Sequence, residues 1–158
     1  MIDGDDFLLR EMGRVTRGLT ALFHAKMGII GLTASRARVL LFLHGRSNPV
    51  GQSEIASFLQ VEPPTAVKII DGLEVLGYVA RLPDPSDRRA KLILLTPDGI
   101  PMAKAALEVT EQLAPALLAG ISGQDLRVAE RVLGIISKNF AELSSKTSTA
   151  PQFREAAA

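Results

Sequence analysis

The 158-residue sequence contains no cysteine. Thiolate metal sites, cysteine nucleophiles and thiol redox switches are therefore excluded. It has no tryptophan and one tyrosine, so an aromatic stacking box for a ligand is not expected. Its two histidines, His24 and His44, stand in no catalytic or metal-ligating motif. No glycine-rich phosphate loop and no metal-ligand cluster appears, so neither an enzyme nor a cofactor or metal protein is expected. No apolar run approaches the roughly 18 residues of a membrane span. Net charge is +1, so any footprint for a polyanion must be local. The start, with Asp3, Asp5 and Asp6, is acidic where a targeting peptide would be basic, and a cytoplasmic location is expected.

What is present is periodicity. Leu8, Met12, Val15, Leu19 and Leu22 recur at four, three, four and three residues, a heptad-like seam that predicts an amphipathic helix. The chain breaks around Gly28–Gly31. Thr33 is placed to cap a second helix over about 34–43, ended by Gly45. A short helix is predicted over 53–59, with a turn at Gln60 and Val61. Pro63 and Pro64 then open a fourth helix whose stripe is Ala66, Ile69, Ile70, Leu73 and Leu76.

The period then shortens to two. Residues 78–82 and 91–95 read as strands of one hairpin around the turn residues 83–87, with Arg88 and Arg89 on the returning side of the tip. Thr96 and Pro97 start a long helix to about Leu118. Gly120 breaks it, and Ser122 with Asp125 resembles a capping box for the last helix. There Leu126, Ala129, Leu133, Ile136, Phe140 and Leu143 repeat the three–four spacing. The tail 144–158 is polar and Ala-rich and is expected to fray. The expected class is mainly α with a small β-hairpin (α+β), a helix-turn-helix followed by a two-stranded wing.

The run Asp84-Pro85-Ser86-Asp87-Arg88-Arg89-Ala90-Lys91, followed by Leu94-Leu95-Thr96-Pro97-Asp98-Gly99, resembles the wing of MarR-type regulators: an Asp-x-Arg loop, then a strand ending in Leu-Thr-x-x-Gly. The stretch from Pro64 to Val79 is similar to that family's recognition helix and exit turn. Ser86 to Lys91 together with Gly120 to Ser122 look closest to its SlyA branch. The resemblance runs from about Leu8 to Leu143. It implies a winged helix-turn-helix lobe over 32–96 and dimerisation helices over 5–31 and 97–143.

It also implies a homodimeric transcriptional regulator of double-stranded DNA, taken as a repressor with activation left open. The recognition helix is expected to turn Thr65, Lys68 and Gly72 outward, and to offer free N–H groups near Pro64 to a phosphate. Arg89 would enter the minor groove with Asp87 orienting it, and Arg88 would meet phosphate, or the two arginines exchange roles. Ser53 and Gln52 would touch phosphate or merely cap their helix. Lys68 stands where an Arg is common in the family, and Gly72 where many members carry a polar or basic side chain, so a recognition helix leaning on shape and phosphate contacts is expected.

The two seams, read alone, could pack within one chain. The resemblance instead pairs Leu8, Met12, Val15, Leu19, Leu133, Ile136 and Phe140 with a second copy, placing half-sites of a palindrome ~34–36 Å apart. It further implies a small aromatic carboxylate or phenolic effector near Arg17, His24 and Thr33, with Arg14 and Arg36 on the same segments. The alternative for that group is ordinary surface charge. A winged-helix module for protein contacts without DNA is the competing function.

Overall fold

The computed structural model describes residues 3–87 and 90–147. The chain runs α1 (Asp3–Ile29), α2 (Ala34–His44), β1 (Val50–Gly51), α3 (Gln52–Leu59), α4 (Pro63–Val75), β2 (Val79–Pro83), β3 (Lys91–Leu95), α5 (Gly99–Leu117) and α6 (Gly123–Thr147). It divides into two compact units, residues 1–115 and 116–158.

In the first unit α2 is the hub. Thr33 caps it, accepting the Arg36 N–H at 3.4 Å, and Gly45 ends it. Its run Val39-Leu40-Leu41-Phe42-Leu43 is apolar nearly all round because α1, α3 and α4 pack about it. Val39 and Leu40 are fully buried with Met27 of α1, Ile55 of α3, Ile70 and Leu73 of α4, Ile93 of β3, and Ala103 and Ala106 of α5. On the outer side Phe42 stacks on Phe58 of α3, with ring centres 4.2 Å apart and Arg46 over the Phe42 face.

The hairpin of β2 and β3 is antiparallel, with Val79 opposite Leu95 and Pro83 opposite Lys91. A third strand, not expected from the sequence, joins it. The two-residue β1 pairs Val50 with Ile93 and Gly51 with Leu92, so the sheet order is β1-β3-β2. Two residues are too few to show a period of two. β1 ties the start of α3 to the base of the wing.

Several expected boundaries are met closely. Residues 91–95 form the strand as read, and Gln60 makes the α3–α4 turn in the left-handed region at φ 56°. Thr96 is the hinge before α5: its hydroxyl donates to the Gly77 carbonyl at 2.6 Å and accepts the Gly99 N–H at 3.0 Å. Its own N–H donates to the Tyr78 carbonyl at 3.1 Å. The seam helix at the start is longer than its periodic part, reaching from Asp3 to Ile29.

In the second unit Gly120, at φ 82°, is followed by the capping pair. The Ser122 hydroxyl accepts the Asp125 N–H at 3.1 Å and donates to the Asp125 carboxylate at 2.6 Å. Helix α6 runs on to Thr147, so residues 144–147 are helical rather than frayed. Among the described residues no single helix is long and apolar enough to cross a membrane.

Among the described glycines, Gly99 has the least room. A Cβ there would overlap the Tyr78 carbonyl, lying 2.8 Å from its carbon, and neither backbone can yield without breaking the Thr96 hinge. Gly99→Ala is expected to cost about 2–3 kcal/mol in urea denaturation. A loss under about 0.5 kcal/mol would show that the hinge is soft.

Candidate nucleic-acid interface

Helices α3 and α4 form the helix-turn-helix. Pro64, Thr65 and Lys68 are all exposed on α4, while Ala66, Ile70 and Leu73 face the core. Thr65 and Lys68 have no side-chain partner among the described residues. Ser53 is exposed in the first turn of α3, whose N-cap is Gly51 with no side-chain cap bond. Ser53 is therefore not a cap, and Gln52 is otherwise engaged, as shown below. A cleft of about 320 Å³ separates this helix pair from the wing base, lined by Gln52, Ser53, Pro63, Val67, Asp84 and Lys91. The fold thus brings Ser53, the start of α4 and the root of the wing around one opening.

Two expectations for α4 are corrected. First, its N-terminus has no N–H groups to spare. Pro63 and Pro64 carry none, and the N–H groups of Thr65 and Ala66 both donate to the Glu62 carbonyl, at 2.9 and 3.2 Å. An anion at this helix end would meet the hydroxyl of Thr65 and the helix dipole rather than backbone donors. Second, Gly72 does not face outward with Lys68. The side-chain direction at 72 points into the guanidinium of Arg36 from α2; a Cβ would lie 3.1 Å from its Cζ and Nε. Helical spacing locates a residue on its own helix, but not the neighbour that covers it.

Sequence reasoning passed over Arg81. From β2 its guanidinium bonds Asp71 at 2.5 Å and Glu74, both on α4, while its Nε donates to the Gln52 Oε1 of α3 at 3.3 Å. The Arg81 side chain is 19% exposed and both acids are more open. One strand residue thereby fixes both helices of the motif and neutralises the two carboxylates that α4 carries near Lys68. The acids are seven and ten residues from Arg81 on another element, so no local spacing marks the triad. Asp71 and Glu74, three apart on α4, were the only available hint.

At the wing, Asp84 accepts from the Ser86 N–H at 2.8 Å and the Ser86 hydroxyl at 2.6 Å, which holds its carboxyl below the usual carboxylate range. Asp84 N–H donates to the Ala90 carbonyl at 3.3 Å, and Ala90 N–H to the Asp87 carbonyl at 3.0 Å, closing the loop. Asp87 is exposed. The expected groove residues Arg88 and Arg89 lie outside the described residues.

The remaining expected residues lie on α1 and at the start of α2. Thr33 serves as the α2 cap. Arg17 and His24 are exposed on α1. An open cavity along α1 includes Arg17 with Phe7, Leu9 and Arg14. Arg14 pairs with Glu11 at 2.7 Å, which raises its own pKa and lowers that of the acid. Among the described residues no group of three or more His, Asp or Glu could hold a metal ion.

A model of the MarR family matches residues 30–90, the span from the end of α1 to the wing tip. The solved structure of the transcriptional regulator PA3341 is 30% identical and superposes with a TM-score of 0.78, over 85% of this chain and 98% of that one. The chain belongs to the MarR family. The structure of the transcriptional regulator SlyA is similar at 26% identity and a TM-score of 0.74, over 85% of this chain and 94% of that one. The regulator BldR from Sulfolobus solfataricus, at 24% identity, shares the fold with a TM-score of 0.74 over 87% and 97%. As a MarR-family transcriptional regulator, the protein has its helix-turn-helix and the first strand of its wing within the matched span, and β3 follows directly after it.

Two outcomes follow for this regulator. Arg81→Ala is expected to cost roughly 1–2 kcal/mol in urea denaturation, discounted for the open acids. Adding Asp71→Asn should then cost almost nothing more, and additive losses in that double-mutant cycle would dissolve the triad. For Asp84 the folded pKa is depressed, so its contribution is present above the ordinary carboxylate value and is lost as pH falls through the folded one. The Ser86 amide resonance should be constant at pH 6–8 and move only below roughly pH 4. Movement near neutrality would require another titrating group.

Proposed function

We propose that the protein binds double-stranded DNA sequence-specifically as a homodimer, with α4 in the major groove and the wing at the adjacent minor groove, and that it acts as a repressor. The observation that carries this reading is the α4 surface itself. Thr65 and Lys68 stand exposed with no side-chain partner among the described residues, while the nearby Asp71 and Glu74 are bonded to Arg81. A helix built for a protein partner has no need to neutralise its acids and leave its cation open. A helix approaching phosphates does.

In this reading Thr65 and Ser53 donate hydroxyls to phosphate or base edges. Lys68 contributes a point charge, and Pro64 sets the entry of α4 without a free N–H. On the wing Arg89 enters the minor groove, Asp87 orients it and Arg88 meets phosphate. No chemistry on the DNA and no cofactor is part of this proposal, and the cytoplasm is its natural setting.

The dimer is supported by what one chain leaves uncovered. On α1, Leu8, Val15 and Leu19 are about half exposed. On α6, Leu133 is 51% and Phe140 66% exposed, while Met12 of α1 and Ile136 of α6 are half-buried. Large apolar side chains left open at heptad spacing on each helix support an interface, and a hydrophobic two-fold contact of this kind is obligate. An aromatic carboxylate or phenol near Arg17, His24 and Thr33 remains the proposed effector class, supported by the family membership rather than by a shaped cavity.

Selection from a randomised duplex pool should enrich an approximate palindrome with half-sites one helical turn apart. On that duplex Arg89→Ala should weaken binding across sequences and flatten the salt dependence by about one unit. Lys68→Ala should weaken it more for some sequences than others. No enrichment would favour a protein-contact module, and a monomer at micromolar concentration by light scattering would remove the dimer.

A further inference from the structure

Arg36 is half-buried in the first turn of α2, and its guanidinium lies against α4 at Gly72. Arg14, Arg46 and Arg81 each have a carboxylate within 3.1 Å. The Arg36 side chain has neither a carboxylate nor a hydrogen-bond acceptor among the described residues. Its backbone N–H is used by the Thr33 cap, but its five side-chain donors are not. A guanidinium held against a helix without an acceptor is poised for an anion that arrives from outside.

The place where it is held decides which anion. Residue 72 is one turn beyond Lys68, about 40° from it around the helix axis. From Thr65 through Lys68 to position 72 is seven helical steps, about 10 Å of the recognition helix. Because 72 is glycine, α4 has no side chain of its own in its third turn on that flank, and the guanidinium from α2 occupies the space. The opposite flank carries Asp71 and Glu74, already matched by Arg81. The two sides of α4 are therefore unlike, one internally neutral and the other with an open cation.

We infer that Arg36 is a DNA-backbone contact, supplied by α2 in the position of the basic side chain that the recognition helix lacks at residue 72. This inference rests on the DNA-binding reading above. It makes Gly72 a functional glycine, needed because any Cβ would push the guanidinium away. The backbone at 72 is ordinary helix, so its conformation does not demand glycine.

The test is the salt dependence of affinity for the selected duplex. Arg36→Ala and Arg36→Gln should each lower the slope of log K against log salt by about 0.9, the value of one phosphate contact. Gly72→Ala should lower it although the arginine remains, and Arg36→Ala with Gly72→Lys should restore it by placing the cation on α4 itself. Melting temperatures show whether each variant is folded, and Arg36→Gln keeps most of the side-chain stem if Arg36→Ala does not fold. Variants at Arg36 that are folded and retain the wild-type slope would overturn the assignment. If Arg89→Ala and Lys68→Ala flatten the slope while these do not, the assignment alone fails. If the wild-type protein binds no duplex, the DNA-binding reading fails and takes the assignment with it.

Discussion

The guanidinium of Arg81 is the contact on which the DNA-facing half of the molecule depends. It sits on a strand of the wing and reaches Asp71 and Glu74 of α4 and Gln52 of α3. A helix-turn-helix has little core of its own; each helix buries one narrow face, and the angle between them is set by what they share. Here α3 and α4 share Ile55, Ile70 and Leu73 beneath, and Arg81 at the side. Apolar packing is non-directional, whereas a planar fork with two carboxylates and an amide fixes direction. The same bonds have an electrostatic consequence. Without Arg81, α4 would present two acids against one lysine, which is the wrong sign for any polyanion.

The architecture was largely legible because most of its signals are local. The strand 91–95, the Thr33 cap, the Ser122–Asp125 pair and the Gln60 turn are each decided within four residues, and the structure has them all. Three features were not legible, for one shared reason: they are set by a neighbour distant in sequence. β1 exists because Ile93 and Leu92 offer an edge to Val50 and Gly51. Gly72 turns toward α2 because α2 crosses there. Arg81 matters because α4 lies beside β2. The lost N–H groups at the start of α4 are a different case. Pro63 and Pro64 were visible, but only the bonds from Thr65 and Ala66 to Glu62 show that the donors after them are also used.

The apolar ends obey another constraint. Met27 at the close of α1 is fully buried in the core, whereas Leu8, Val15 and Leu19 earlier on the same helix are open. One helix thus serves two surfaces, its last turns anchoring the lobe and its first turns left for something else. A three–four spacing alone cannot divide these roles, because both demand the same residues. Burial in a single chain divides them, and on the proposed reading the open early turns of α1 and the outward residues of α6 are left for a partner.

The chemistry on α4 also limits how sequence could be read. A bidentate arginine–guanine or asparagine–adenine pair is worth roughly 1–3 kcal/mol of discrimination. Among its exposed groups α4 has a lysine, which cannot make the paired contact, and a threonine, which accepts several partners. On the proposed reading, base-edge contacts would then supply little of the selectivity. The larger share would come from terms that do not depend on side-chain coding. One is the fixed separation of two half-sites in a rigid dimer. The other is the cost of fitting DNA to a helix pair and wing clamped by Arg81. Rigidity of the protein is what converts DNA deformability into selectivity, since a lobe that could flex would follow any duplex at similar cost. On that reading the arginine that neutralises α4 is as much a part of recognition as the residues that would touch DNA.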